Sequence, residues 1–245
     1  MISQHKDNEL HELFERRLKI FQKKEGYRFS VDSILLGSFA AERATGTVAD
    51  LGTGSGILPV ILARHEKFQK ITGIEIQKDL AELAQKNIAL NRCEDRVTIV
   101  HADIKALTNR LSAGEFDTVI TNPPFYSVFS GRINPDTQRA LARHELHGTL
   151  RDFISMAAFL LRQSGKFFAV YLCSRIVDLI TEMRLKNIEP KTFRFIHARI
   201  DEPATMVLAE GAKGAGTEAK TLPPLILYNA DGNYTEEVKG VFKGI

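Results

Sequence analysis

The 245-residue sequence predicts an α/β protein whose ligand site lies at the carboxyl ends of the strands of an open sheet. Three observations predict it. Apolar runs of strand length alternate with helical-period segments from Val31 to Lys186. A glycine-rich turn, Asp50-Leu51-Gly52-Thr53-Gly54-Ser55-Gly56, joins the first of these strands to a helix. Acids, Asp50, Glu75 and Asp103, then stand at the ends of three successive strands.

The bulk properties bound the rest. A chain of this length buries one good core, so one domain with appendages is expected. Residues 1–29 read as an extension carrying a basic hairpin, and 30–245 as the main domain. The net charge of +3 permits an anionic partner without demanding one. Cys93 and Cys173 stand far apart with no C-x-x-C pair, which argues against a disulfide framework or zinc site and suits a reducing cytoplasm. The polar start is unlike a signal peptide, and no apolar run reaches membrane-spanning length. Monomer and dimer both stay open.

In chain order, the first ten residues read as frayed, and Leu10, Leu13 and Phe14 mark a short amphipathic turn. Leu18, Ile20 and Gln22 alternate with Lys19 and Phe21. Lys23-Lys24-Glu25-Gly26 then leads to Tyr27-Arg28-Phe29, which predicts a β-hairpin with Gly26 in its turn. Lys23, Lys24 and Arg28 would either face a polynucleotide backbone or simply keep a sheet edge soluble. Ser30 or Asp32 caps the next helix, whose apolar side carries Ile34, Leu35, Leu36, Phe39 and Ala40.

Glycines at 52, 54 and 56 let the backbone turn tightly and approach a ligand. The dinucleotide pattern G-x-G-x-x-G is not met, because Ile57 stands where its third glycine belongs. Asp50 would repel a pyrophosphate and welcome a cation. S-adenosyl-L-methionine carries a sulfonium and an ammonium and has no phosphate. Glu75 ends the next strand, about twenty residues after the loop, where a carboxylate accepts both ribose hydroxyls. Asp79 caps the helix that runs through Asn91, and Val97–Val100 is the third strand. Asp103 can accept from an adenine amino group, and Ile104 begins a short helix. Each acid singly could be a helix cap, but three at successive strand ends point to one ligand.

Phe116–Thr121 is the fourth strand, and it stops at Asn122-Pro123-Pro124-Phe125. The proline after Asn122 holds that residue extended, and two fixed φ angles stiffen the turn. The Asn122 side-chain oxygen and a backbone carbonyl then form a ledge of two acceptors beside the flat face of Phe125. A planar amino group on a π-system needs that arrangement. The irregular segment that follows bears Tyr126, Arg132, Arg139, Arg143 and His144 and reads as a substrate-facing lid with phosphate-binding arginines, or as a solvated loop.

Leu150–Leu161 is a helix, Lys166–Tyr171 the fifth strand, and Ile176–Lys186 another helix. Thr192–His197 and Ala204–Ala209 are strands that could form a final hairpin, and 211–216 reads as a glycine-rich loop. Leu222–Tyr228 is edge-like because of Pro223 and Pro224, and Tyr234–Phe242 closes the chain as a helix.

On Asp50–Gly56, Glu75, Asp103 and Asn122-Pro123-Pro124-Phe125, in that order, residues 30–210 resemble class I S-adenosylmethionine-dependent methyltransferases. The resemblance implies a Rossmann-like, seven-stranded, mostly parallel sheet with helices on both faces and one antiparallel strand near the end. It implies cofactor contacts at Asp50, Gly52, Thr53, Gly54, Gly56, Glu75, Ile76, Asp103, Ile104 and Asn122. The Asn-Pro-Pro-aromatic box is shared by methylases of planar nitrogens, namely adenine N6 and the glutamine side-chain amide of release factors.

Gly26-Tyr27-Arg28-Phe29-Ser30-Val31-Asp32-Ser33-Ile34-Leu35-Leu36 and Ala142-Arg143-His144-Glu145 are similar to the bacterial tRNA1(Val) adenine N6-methyltransferase family. The ending, Pro224–Tyr228 with Asp231–Glu236, is similar too. This implies an anticodon-loop adenine of a tRNA as substrate, with Asn122, Pro123 and Phe125 catalytic. Tyr126, Lys23, Lys24, Arg28, Arg132 and Arg143 would then hold RNA, with no metal. The rivals are a protein glutamine N5-methylase, which usually has a helical N-terminal domain, and a DNA adenine methylase, which usually has a larger recognition region.

Overall fold

The computed structural model describes residues 8–13, 18–23, 31–124 and 148–244. Seven strands form the body of one sheet: β3 (Gly46–Leu51), β4 (Phe68–Glu75), β5 (Val97–His101), β6 (Phe116–Thr121), β7 (Leu161–Leu172), β8 (Ile188–His197) and β9 (Ala204–Lys213). Their order across the sheet is β8-β9-β7-β6-β3-β4-β5. β9 runs antiparallel to both of its neighbours, and the other pairings among the seven are parallel. The expected sheet is therefore the one observed. β3 lies at its centre, between β4 and β6.

The strand sequences show why both faces are covered. Side chains alternate along a strand, so a strand buried on both sides reads as an unbroken apolar run. Phe168 and Val170 of β7 enter one core, while Phe167, Ala169 and Tyr171 enter the other. On β9, Met206 and Leu208 face the first core, Val207 and Ala209 the second. The first core is closed by α1 (Val31–Arg43), α2 (Ile57–Leu62) and α3 (Lys78–Leu90). The second is closed by α4 (Leu150–Leu160), α5 (Ile176–Leu185) and the 3-10 turn at Ile104–Asn109. At Gly37 a Cβ would come within 3.0 Å of Ile61, so this glycine sets how closely α1 approaches α2.

Five expectations need correction. The hairpin exists, but β2 (Leu18–Lys23) pairs with β1 (Asn8–Leu13), which comes before it. The residues that join the two strands, and Gly26, are outside the described residues. The supposedly frayed start was misread because Asn8–Leu13 is polar, and its strand character comes from its partner. Gly211–Lys213 is not loop but the end of β9, where Gly211 and Ala212 pair with β7 and Lys213 pairs with Ile188 of β8. Gly211 is there for packing, since a Cβ would meet Met183 at 2.5 Å and Ile188 at 2.7 Å. The N-cap position of α3 is Gln77; Asp79 lies in the first turn, where Oδ1 accepts from the Leu80 N–H at 3.0 Å and Oδ2 takes an ion pair from Lys23. Leu222–Tyr228 is not one edge strand. Two short pieces, β10 (Lys220–Thr221) and β11 (Leu225–Ile226), pair with β8 on either side of Pro223-Pro224. Proline cannot donate to the ladder, so the edge is interrupted there.

The hairpin is docked on α3 by two asparagines. Asn87 accepts from the Phe21 N–H at 2.7 Å and donates to the Phe21 carbonyl at 3.0 Å. Asn91 accepts from the Lys19 N–H at 3.1 Å and donates to the Lys19 carbonyl at 2.6 Å. Residues four apart on a helix rise about 6 Å, and residues two apart on a strand about 6.6 Å. The two side-chain amides therefore match the repeat of one strand edge and stand in for a neighbouring strand. Beneath them Leu18 and Ile20 are fully buried.

Removing one amide leaves a backbone pair unmatched. Asn91→Ala should cost about 1–2 kcal/mol and speed amide exchange at Lys19 without exposing the central strands. Hydrogen exchange read by mass spectrometry checks this. Unchanged protection at Lys19 would mean that the clamp contributes nothing.

Candidate active site

The parallel register places the candidate residues along one edge. Leu51, the last residue of β3, lies beside Ile74 on one side and Thr121 on the other. Glu75 pairs with His101 at the end of β5. The glycine loop, Glu75, Asp103 and Asn122 thus follow the carboxyl ends of four adjacent strands. The Thr121 hydroxyl donates to the Leu51 carbonyl at 2.8 Å and ties β6 to β3 just before Asn122.

Gly52, Gly54 and Gly56 all have positive φ, at 75°, 57° and 83°. A side chain would be strained at each. The N–H groups of Gly52 and Thr53 both donate to the Ile74 carbonyl at 2.9 Å. Gly54 N–H donates to Glu75 Oε2 at 2.8 Å, and Gln77 N–H donates to Oε1 at 2.9 Å. Glu75 therefore fixes the loop's shape while each oxygen keeps lone-pair capacity for a hydroxyl donor. Burial raises the Glu75 carboxyl above its usual range, and the hydrogen bonds from Gln77 and Gly54 act against that.

Asp50 is fully buried, and neither carboxylate oxygen has a hydrogen-bond partner among the described residues. Burial pushes its pKa from 3.8 to about 7; the Thr53 hydroxyl lowers it and the Glu75 charge raises it further. The Thr53 side chain lies over Gly73, where a Cβ would stand 2.9 Å from its hydroxyl. The buried polar atoms without partners among the described residues are concentrated here. They belong to Asp50, Thr53, Ser55, Asn122 and Gln22, with His65 lying elsewhere. Natural proteins rarely leave such atoms unsatisfied, so the cluster marks a place for a polar ligand.

S-adenosylmethionine fits this donor set. Asp50 would balance its positive charge, Glu75 would take the ribose hydroxyls, and Asp103 would meet the adenine. Asp103 already caps the 3-10 turn, accepting from Lys105 N–H at 2.9 Å, and its side chain is partly exposed. Ile76 is half-buried, with its carbonyl 3.0 Å from His101 Nε2. Ile104 packs into the second core instead of lying open.

Asn122 meets an element that the sequence reading did not connect to it. Its Nδ2 donates to Ser33 Oγ on α1 at 2.9 Å, and its buried Oδ1 has no partner among the described residues. Pro123 is buried behind it. Phe125, Tyr126, Arg132, Arg143, Lys24 and Arg28 lie outside the described residues. Lys23 is paired with Asp79, so part of its charge is already compensated.

Four further residues escaped the sequence reading: Ser33, Gln22, Ser55 and Gly73. Gln22 was legible as a strand residue only. Its burial shows because Asn87, which holds Phe21, also donates to the Ser55 carbonyl at 2.8 Å and brings the hairpin against the glycine loop.

A glycine loop after the central strand, an acid ending the next, and Asn-Pro-Pro ending the fourth define a class I S-adenosylmethionine-dependent methyltransferase. Residues 29–175 match the family model described as methyltransferase small domain, and the chain belongs to that family. A Porphyromonas gingivalis protein named tRNA1(Val) (adenine(37)-N6)-methyltransferase is 31% identical over 225 residues, covering 86% of this chain and 85% of its own. An Aeromonas hydrophila protein of the same name is 25% identical, covering 85% and 86%. Among solved structures, a predicted O-methyltransferase from Agrobacterium tumefaciens superposes with a TM-score of 0.70. It is 24% identical, with 87% of this chain and 96% of that one covered, and so supports the fold alone.

The elevated Asp50 pKa has a consequence for cofactor binding. Only the ionised carboxylate balances a cation, and a bound cation holds its pKa down. Affinity for S-adenosylmethionine should be full above pH 7 and fall, by up to about tenfold per unit, below it. Calorimetry at pH 6 in buffers of different ionisation heat should show proton release on binding. Asp50→Asn should bind weakly with a flat profile. It should also melt higher than the parent at pH 8, because the burial penalty is complete once the carboxyl ionises. A flat profile in the unaltered protein would contradict this account.

Proposed function

We propose that this protein transfers the methyl group of S-adenosylmethionine to N6 of adenine 37 in tRNA1(Val). One observation supports the reading most: a buried, unpartnered amide oxygen on Asn122, directly beside the cofactor loop. The homology to proteins of that name over most of the chain points to the same substrate.

The chemistry follows from the acceptor. Adenine N6 is a poor nucleophile because its lone pair is delocalised into the ring. Asn122 Oδ1 and the Pro123 carbonyl accept its two hydrogens and favour a pyramidal nitrogen with a free lone pair. Those hydrogen bonds strengthen as positive charge develops, so they stabilise the transition state more than the ground state. The bound cofactor supplies an electrophilic methyl on its sulfonium. Holding the nitrogen in line with it contributes through orientation. The ammonium formed by transfer is acidic, so no strong general base is required.

Phe125 stacks on the extruded base, worth about 1–3 kcal/mol, with Tyr126 beside it. An anticodon-loop adenine is already partly unstacked, which lowers the cost of extrusion. Lys24, Arg28, Arg132 and Arg143 meet the phosphates, with Lys23 a weaker contributor while it pairs with Asp79. Such a substrate places the protein in the cytoplasm. Among the described residues no helix is long and apolar enough to cross a membrane. Glutamine N5-methylation of a protein remains the second reading, because a side-chain amide presents the same NH2 group to Asn122.

Asn122→Ala separates chemistry from cofactor binding. Turnover should fall by about a hundredfold or more, the magnitude of losing one transition-state acceptor, while S-adenosylmethionine affinity changes little. Single-turnover methyl transfer and calorimetry read the two quantities. Unchanged turnover would remove Asn122 from the mechanism.

A further inference from the structure

The Asn122 amide has two ends of opposite character, and only one is useful. Oδ1 accepts the hydrogens of an amino group, whereas Nδ2 would set donor against donor and repel it. A free amide could rotate between the two. Here Nδ2 donates to Ser33 Oγ at 2.9 Å, and while the hydroxyl accepts this bond, with its own hydrogen directed elsewhere, Oδ1 is left buried and without a partner among the described residues.

Ser33 is a firm support. It lies in the first turn of α1 and is only 1% exposed. The three residues after it, Ile34, Leu35 and Leu36, are all buried in the first core. Gly37, one turn on, lets α1 sit directly against Ile61. The helix therefore has no freedom to withdraw the hydroxyl. On the other side, Thr121 is bonded to Leu51 and Pro123 restricts the backbone of Asn122. Both partners of the hydrogen bond are set by rigid elements 89 residues apart in sequence.

We propose that Ser33 is a positioning residue that fixes the polarity of the Asn122 amide and thereby selects an amino group over a carbonyl as the methyl acceptor. The proposal rests on the reading that Asn122 accepts hydrogens from the target nitrogen. Ser33 need not touch substrate or cofactor. Its effect should appear in kcat and pass through Asn122 alone.

The test is a double-mutant cycle measured by methyl transfer to tRNA. Ser33→Ala should lower kcat by about tenfold, the weight of one orienting hydrogen bond. KM for tRNA and cofactor affinity should stay unchanged. Ser33→Cys, of similar size and weaker in hydrogen bonding, should fall between. In an Asn122→Ala background, Ser33→Ala should have no further effect on residual turnover. The side-chain amide protons of Asn122, followed by NMR without substrate, should exchange faster in Ser33→Ala.

Full turnover in Ser33→Ala, or the same loss with and without Asn122, would overturn the positioning role. Normal turnover in Asn122→Ala would overturn the functional reading beneath it, whatever Ser33 does. The two failures are therefore distinguishable.

Discussion

The constraint on which this structure turns is an ionisable carboxyl with no hydrogen-bond partner among the described residues, buried in the central strand. Asp50 sits on the strand flanked by β4 and β6 and is fully buried. Burying an unpaired charge is costly, and a protein selected only to fold would place an apolar residue there. The cost is accounted for if a ligand completes the group. Among the described residues the buried Thr53 and Ser55 hydroxyls also lack partners, and three left-handed glycines shape the loop that carries them.

A parallel sheet converts this local arrangement into a site. Adjacent parallel strands end at one edge, so residues far apart in the chain become neighbours through register. Leu51 lies beside both Ile74 and Thr121, so the loop after β3 has Glu75 on one flank and Asn122 on the other. Glu75 binds the loop backbone through Gly54. The hairpin joins from outside through Asn87, whose single amide bonds both Phe21 and Ser55.

Much of this was legible in the sequence, for identifiable reasons. Apolar runs such as Phe116–Thr121 and Phe167–Tyr171 gave the strands because strands buried on both faces must be apolar throughout. Positive-φ glycines and strand-end acids are local signatures and were read directly. What escaped depends on partners remote in sequence. Asn8–Leu13 is too polar to announce a strand, and only pairing with Leu18–Lys23 makes it one. Gly211 resembled a loop glycine because nothing local reports that Met183 and Ile188 press against it. Ser33 carries no local signal, since its meaning lies in Asn122. Asp79 serves the first turn of its helix through Leu80, and its ion pair with Lys23 of the hairpin had no local signal.

The measurement that tests the central claim most directly is transfer of isotope-labelled methyl from S-adenosylmethionine to unmodified tRNA1(Val), in parallel with DNA and release factor. Nucleoside and peptide mass analysis would then locate the label. The account predicts N6-methyladenosine at position 37 of the tRNA. Label confined to N5-methylglutamine, or to DNA, would contradict the assigned substrate while leaving the cofactor site standing.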